Sequence, residues 1–214
     1  MDYKNLCSAV AIALTFTAFI PYMRDIVRGH IKPHVFSWVI WGATTSVVFF
    51  AQLEGKGGAG AWAIGVSGAI SILIAVLAAL KHADSSITQT DWLFFAAALS
   101  SLPFWYLTSD PLWAVVVLTT VDLLGFGPTI RKAYDDPHSE SQLFFALFLV
   151  RNFFVLMALA TYSVTTVLFP AAVAITCALL IVMVGYRRRA LAKLKPRKRV
   201  RRGKKKRNRG KRLR

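Results

Sequence analysis

Asp122 and Arg151 are the residues of this chain whose chemistry is least compatible with their surroundings. Each stands near the middle of a long apolar run. If those runs are membrane helices, a charge at the bilayer centre costs about 2.5–3.5 kcal/mol even on the mild insertion scale, so such residues mark sites by default. A carboxylate in that position can hold a proton or a cation. A guanidinium can pair with it or clamp an anionic group. The structural alternative is a salt bridge that locks the two segments together. Neighbouring Asn152 and the Thr119-Thr120 pair add polar groups that equally serve as inter-helix hydrogen bonds.

A second group is aromatic. Trp38, Trp41 and Thr45 recur at spacings of three and four, with Thr44 beside them. That pattern places them on one helical stripe. An aromatic face bordered by hydroxyls suits a sugar ring, a nucleoside or another flat amphipathic ligand. Trp also favours membrane interfaces, and Trp38 is close to a loop. A third segment carries Ser67 and Ser71 among Gly60, Gly65 and Gly68, a small-residue series that permits close helix approach. The candidate solute-binding residues are therefore Trp41, Thr44, Thr45, Ser67, Thr119, Asp122, Arg151 and Asn152. No acidic or histidine cluster has metal-site spacing and no serine nucleophile motif occurs, so neither an enzyme, a metal nor a cofactor is expected. Residues 164–186 hold no Lys that could carry a retinal.

These residues must be positioned by membrane-length helices. The chain is 56% hydrophobic. A span needs about 20 apolar residues. Seven segments qualify: 5–22, 35–52, 60–80, 91–107, 111–130, 142–162 and 164–186. The expected fold is an all-α polytopic membrane protein with seven transmembrane helices. The first apolar run ends in Pro-Tyr-Met-Arg-Asp without a small-residue cleavage site and reads as a retained helix, not a signal peptide. Cys7 and Cys177 lie inside apolar runs and read as small hydrophobes.

The net charge of +17 is unevenly spread. Residues 187–214 contain 18 of the 27 Lys and Arg and no acid. Self-repulsion predicts a disordered basic tail there. Its expected partners are anionic lipid headgroups next to the membrane, with nonspecific nucleic acid second. In the loops, Arg24, Arg28 and Lys32, then Lys81, then Arg131 and Lys132 fall on alternate connections, and so does the tail. By the positive-inside rule that side is cytoplasmic, which puts the N-terminus outside. The expected location is the inner (cytoplasmic) membrane of a bacterial cell, with homo-oligomerisation open.

A short pattern occurs twice: Pro21-Tyr-Met-Arg24 followed by Pro33-His34, and Pro128-Thr-Ile-Arg131 followed by Pro137-His138. Both copies sit after the first helix of a triplet, four crossings apart, so the halves point the same way. The implied units are 1–82, a linker helix in 83–109, 110–186, and the tail 187–214. Paired prolines inside membrane helices free a backbone carbonyl and bend the helix, so Pro21 and Pro128 are candidate hinges. His34 and His138 are candidates for a cytoplasmic gate, since histidine titrates near neutrality. On these residues the chain resembles the SWEET and PQ-loop transporter superfamily, in which parallel repeats lie about an axis along the membrane normal. The name-giving Pro-Gln pair is replaced by Pro21-Tyr22 and Pro128-Thr129, and Ser67 and Ser71 stand nearest to the family's third-helix Asn. The resemblance implies a 3+1+3 fold. With the repeat, the paired prolines and the two intramembrane charges it points to transport of a small polar solute by alternating access, with Asp122 as the site for any proton coupling. The competing reading is a receptor or scaffold that tethers a basic tail to the membrane.

Overall fold

A computed structural model describes residues 2–29, 35–81, 89–126, 130, 133–135, 137 and 142–210. The described chain is all-helical. Its helices are α1 (Tyr3–Val27), α2 (Val35–Glu54), α3 (Ala59–Leu80), α4 (Gln89–Thr108), α5 (Pro111–Gly125), α6 (Gln142–Ala158) and α7 (Val164–Gly210). Residues 130 and 133–135, between α5 and α6, are also helical.

Four helices are long enough and apolar enough to cross a membrane: α1, α2, α3 and the Val164–Ala192 part of α7. The other three fall short of that description for different reasons. α4 has 20 residues but is diluted by Asp91, Ser100, Ser101 and Pro103. α5 and α6 are apolar but have only 15 and 17 residues. At the start of α5, Pro111 takes the first helical position and Asp110 Oδ1 accepts from the Leu112 N–H at 2.9 Å. It ends at Gly125 with Phe126 as its C-cap, where the sequence expectation carried the segment on to residue 130. α6 ends at Ala158 and not at 162, since Ser163 and Thr166 start the next helix. The Ser163 N–H donates to Thr166 Oγ1 at 3.0 Å, and the Thr166 N–H returns to Ser163 Oγ at 3.3 Å. That reciprocal pair is a capping box with Thr in the place of Glu. α7 then runs on to Gly210, past residue 186 where the sequence reading began a disordered tail.

Spatial order differs from chain order. α3 packs against both α1 and α2, and α7 packs against both α5 and α6. α1 rests on α6, and α2 rests on α5 and more lightly on α7. α3 also touches α6, and α4 lies on α5 and α2. The α2–α3 contact is close because small residues line it. A Cβ on Gly42 would come within 2.7 Å of Ile72, and one on Gly68 within 2.9 Å of Ser46 Oγ. The packing role expected of the α3 glycines is thus directly visible. Outward faces are apolar: Ile175, Leu179 and Val182 of α7 are 61%, 66% and 69% exposed. Such rows suit lipid, not water.

Candidate functional site

Arg151 is the centre of a polar nest. It projects from the middle of α6 and is 2% exposed. Its Nε donates to Thr15 Oγ1 on α1 at 3.2 Å. Its Nη1 donates to Asn152 Oδ1 at 3.0 Å. Its Nη2 donates to the Ala63 carbonyl at 2.6 Å and to Ser67 Oγ at 2.7 Å, both on α3. The Phe148 ring lies 5.7 Å from the guanidinium carbon, one turn away on α6. Asn152 is fully buried, and its Nδ2 donates to the Phe148 carbonyl at 2.8 Å, which fixes the amide that faces Arg151. All four acceptors of Arg151 are neutral. Fixed dipoles therefore solvate the charge, and no carboxylate among the described residues pairs with it.

Asp122 presents the opposite case. It lies on α5, is 8% exposed, and no hydrogen bond or ion pair to a described residue reaches its carboxylate. Thr119, one turn before it on the same face, is buried and its Oγ1 has no partner. Gly125, one turn after it, lets the Trp41 indole of α2 lie directly on α5. A Cβ at Gly125 would sit 3.2 Å from Trp41 Nε1. Trp41 is itself held by an edge-on contact with Trp38 at 5.3 Å between ring centres. Trp38 is buried in an aromatic group with Phe19 and Tyr22, not exposed at an interface.

The salt bridge between Asp122 and Arg151 considered from the sequence does not form. The reason is topological: α7 packs against both α5 and α6 and lies between them. Of the remaining candidates, Ser67 and Asn152 belong to the Arg151 nest. Thr44 is fully buried and bonds its own helix, donating to the Trp41 carbonyl at 3.1 Å. Thr45 is buried on the Trp41 stripe of α2. Thr120 is exposed and donates to the Val116 carbonyl. Pro21 is inside α1, which continues through it to Val27. Pro128, His34 and His138 lie outside the described residues.

Sequence reasoning missed three contributors. Thr15 and the Ala63 carbonyl are nest acceptors, and neither residue type announces that role. Gln52, near the end of α2, is fully buried. Its Nε2 donates to the Thr166 carbonyl at 2.8 Å, while its Oε1 is unpartnered. An amide within an apolar run, three residues before a glycine-rich turn, was the available signal. That turn docks on the α6–α7 turn: the Ala160 N–H donates to the Gly57 carbonyl at 2.9 Å and Lys4 Nζ reaches the Ala160 carbonyl at 3.3 Å. Gly58 there has φ +64, and a Cβ on it would meet the Ala160 Cβ at 2.6 Å.

No protein-family model, curated protein or solved structure matches the chain.

Proposed function

We propose that this chain is a membrane transporter or facilitator of a small polar solute, working by alternating access between two three-helix units, α1–α3 and α5–α7, with α4 as linker. The carrying observation is a reciprocity in the packing. Exchange α1, α2 and α3 for α5, α6 and α7, and the contacts map onto one another. α1–α3 becomes α5–α7, and α2–α3 becomes α6–α7. Between the units, α1–α6 becomes α5–α2, and α3–α6 becomes α7–α2. Two parallel copies facing each other about an axis along the membrane normal give this set, the plan of one group of secondary transporters. α4 alone has no counterpart, as a linker should not.

Transport needs a barrier that can open. The hydrogen bonds donated by Arg151, Gln52 and Lys4, and the one that the Gly57 carbonyl accepts from the Ala160 N–H, join the two units from mid-membrane to the end that carries the 55–58 turn. In the orientation proposed from the basic loops, that end faces outside. These bonds support a form closed on the outside, with Pro21 and Pro128 as the bends about which the units rock.

Cross-linking tests this. In a Cys7→Ala, Cys177→Ala background, Gly58→Cys with Ala160→Cys places two thiols close enough to bridge after a small shift. The protein is reconstituted in proteoliposomes and offered radiolabelled sugars, amino acids, nucleosides and choline. Saturable uptake of one of them should disappear on oxidation and return with reductant. Uptake by the cross-linked form, or none by any form, removes the alternating-access reading.

A further inference from the structure

We infer that Asp122, Thr119 and the indole of Trp41 form a binding site for a small organic cation. The inference rests on the transport reading for what the site is used for, but not for its existence. The argument begins with the inequality of the two buried charges. Arg151 has five N–H donors, and four hydrogen bonds to fixed neutral acceptors already engage three of its nitrogens. Little of it remains to clamp an anion. Asp122 accepts nothing from a described residue.

Nor do the surrounding helices supply a counter-ion. α5 packs on α2, α4 and α7. Residues 35–54, 89–108, 111–125 and 164–186 contain no Lys, Arg or His. Arg151, the other charge buried in the bundle, lies on α6, which is not among the helices that α5 packs on, and it is held elsewhere. An ionised carboxylate this deeply buried stays costly until a positive charge meets it.

Two neighbours define what kind of charge fits. Thr119 Oγ1, buried and unpartnered one turn away, offers a hydroxyl as donor or acceptor. Trp41 lies across Gly125 with its ring held edge-on by Trp38. Indole is the best aromatic face for a cation, and methylated ammonium groups are the usual guests. A carboxylate and a hydroxyl one turn apart on α5, with an indole packed on the next turn, select a compact cation with apolar methyl or ring surface over a sugar or an anion.

The two repeats sharpen the point. Aligned on Pro21 and Pro128, Asp122 is the counterpart of Thr15. Thr15 meets Arg151 where α1 packs on α6. In the corresponding α5–α2 pair, α2 has no basic residue. The position that one repeat fills with an internal cation is left without one in the other.

The test uses the full chain in lipid nanodiscs, titrated calorimetrically with choline and N-methylpyridinium. Their neutral isosteres, dimethylbutanol and toluene, serve as comparators. Both cations should bind and the isosteres should not. Asp122→Asn should weaken binding about 10- to 100-fold, Asp122→Glu should retain most of it, and Trp41→Leu should weaken it about threefold. Equal binding of cation and isostere, binding that survives Asp122→Asn, or no binding of either cation overturns the inference. Size-exclusion profiles of the variants separate lost binding from lost fold, and the Asp122→Glu variant decides if Asp122→Asn aggregates. Binding that needs Asp122 without uptake into proteoliposomes keeps the site and removes the transport reading. Saturable uptake of a neutral solute, indifferent to Asp122→Asn, keeps transport and overturns the cation site.

Discussion

The Arg151 nest and the Asp122 face are two answers to one problem, a charge held away from water. At Arg151 the protein surrounds the charge with neutral dipoles from three helices: Thr15 on α1, Ala63 and Ser67 on α3, and Asn152 on α6 itself. At Asp122 it supplies no hydrogen bond from a described residue. The difference teaches that burial alone does not define a site. A buried charge that is fully solvated by protein is a structural device. Here it ties α6 of one proposed unit to α1 and α3 of the other. A buried charge left unsolvated is held for something that arrives from outside, or it is a cost without return.

The comparison makes predictions of opposite sign. Arg151→Ala should have the largest effect. It strips four hydrogen bonds from a buried junction and should cost about 2–4 kcal/mol. Thermal unfolding in detergent can report this through a thiol-reactive dye, because both Cys7 and Cys177 are buried until the fold opens. Asp122→Asn comes next and should raise stability in the same assay by about 1–2 kcal/mol, since an uncharged amide of the same shape is cheaper to bury. If Asp122→Asn destabilises the protein as much as Arg151→Ala does, the carboxylate has a structural partner and the contrast fails.

Smaller changes refine the picture. Ser67→Ala removes one nest acceptor and should cost about 1 kcal/mol. Thr119→Val swaps an unpartnered buried hydroxyl for a methyl of the same shape and should be neutral, or gain up to about 1 kcal/mol. A double-mutant cycle between Ser67→Ala and Arg151→Lys should show coupling, while one between Thr119→Val and Arg151→Lys should show none. Coupling in the second cycle would join the two regions into one network and end the distinction.

Much of the fold was legible because its signals are local. Long apolar runs and glycines spaced along α3 each act on their own neighbourhood, and each produced the expected element or contact. Segment ends were less legible. α5 and α6 stop short because turn and cap geometry at Phe126 and Ser163 outweighs hydropathy, which continues past both points. The site was half legible. Asp122 and Arg151 stood out by charge, and Trp41 by its stripe. Thr15, Ala63 and Gln52 did not, since a threonine, an alanine carbonyl and an amide become special only through what comes to face them.

The sequence by itself determined that the chain is helical and apolar, that its basic charge collects at one end, and that two ionisable residues are buried among hydrocarbon side chains. Those properties follow from composition and from periodicity along a single strand of chain. Only the tertiary structure decided that the two charges are not partners. α7, the last helix in the chain, packs between the two helices that carry them. A long-range packing order of that kind depends on which faces fit together, and no local pattern records it.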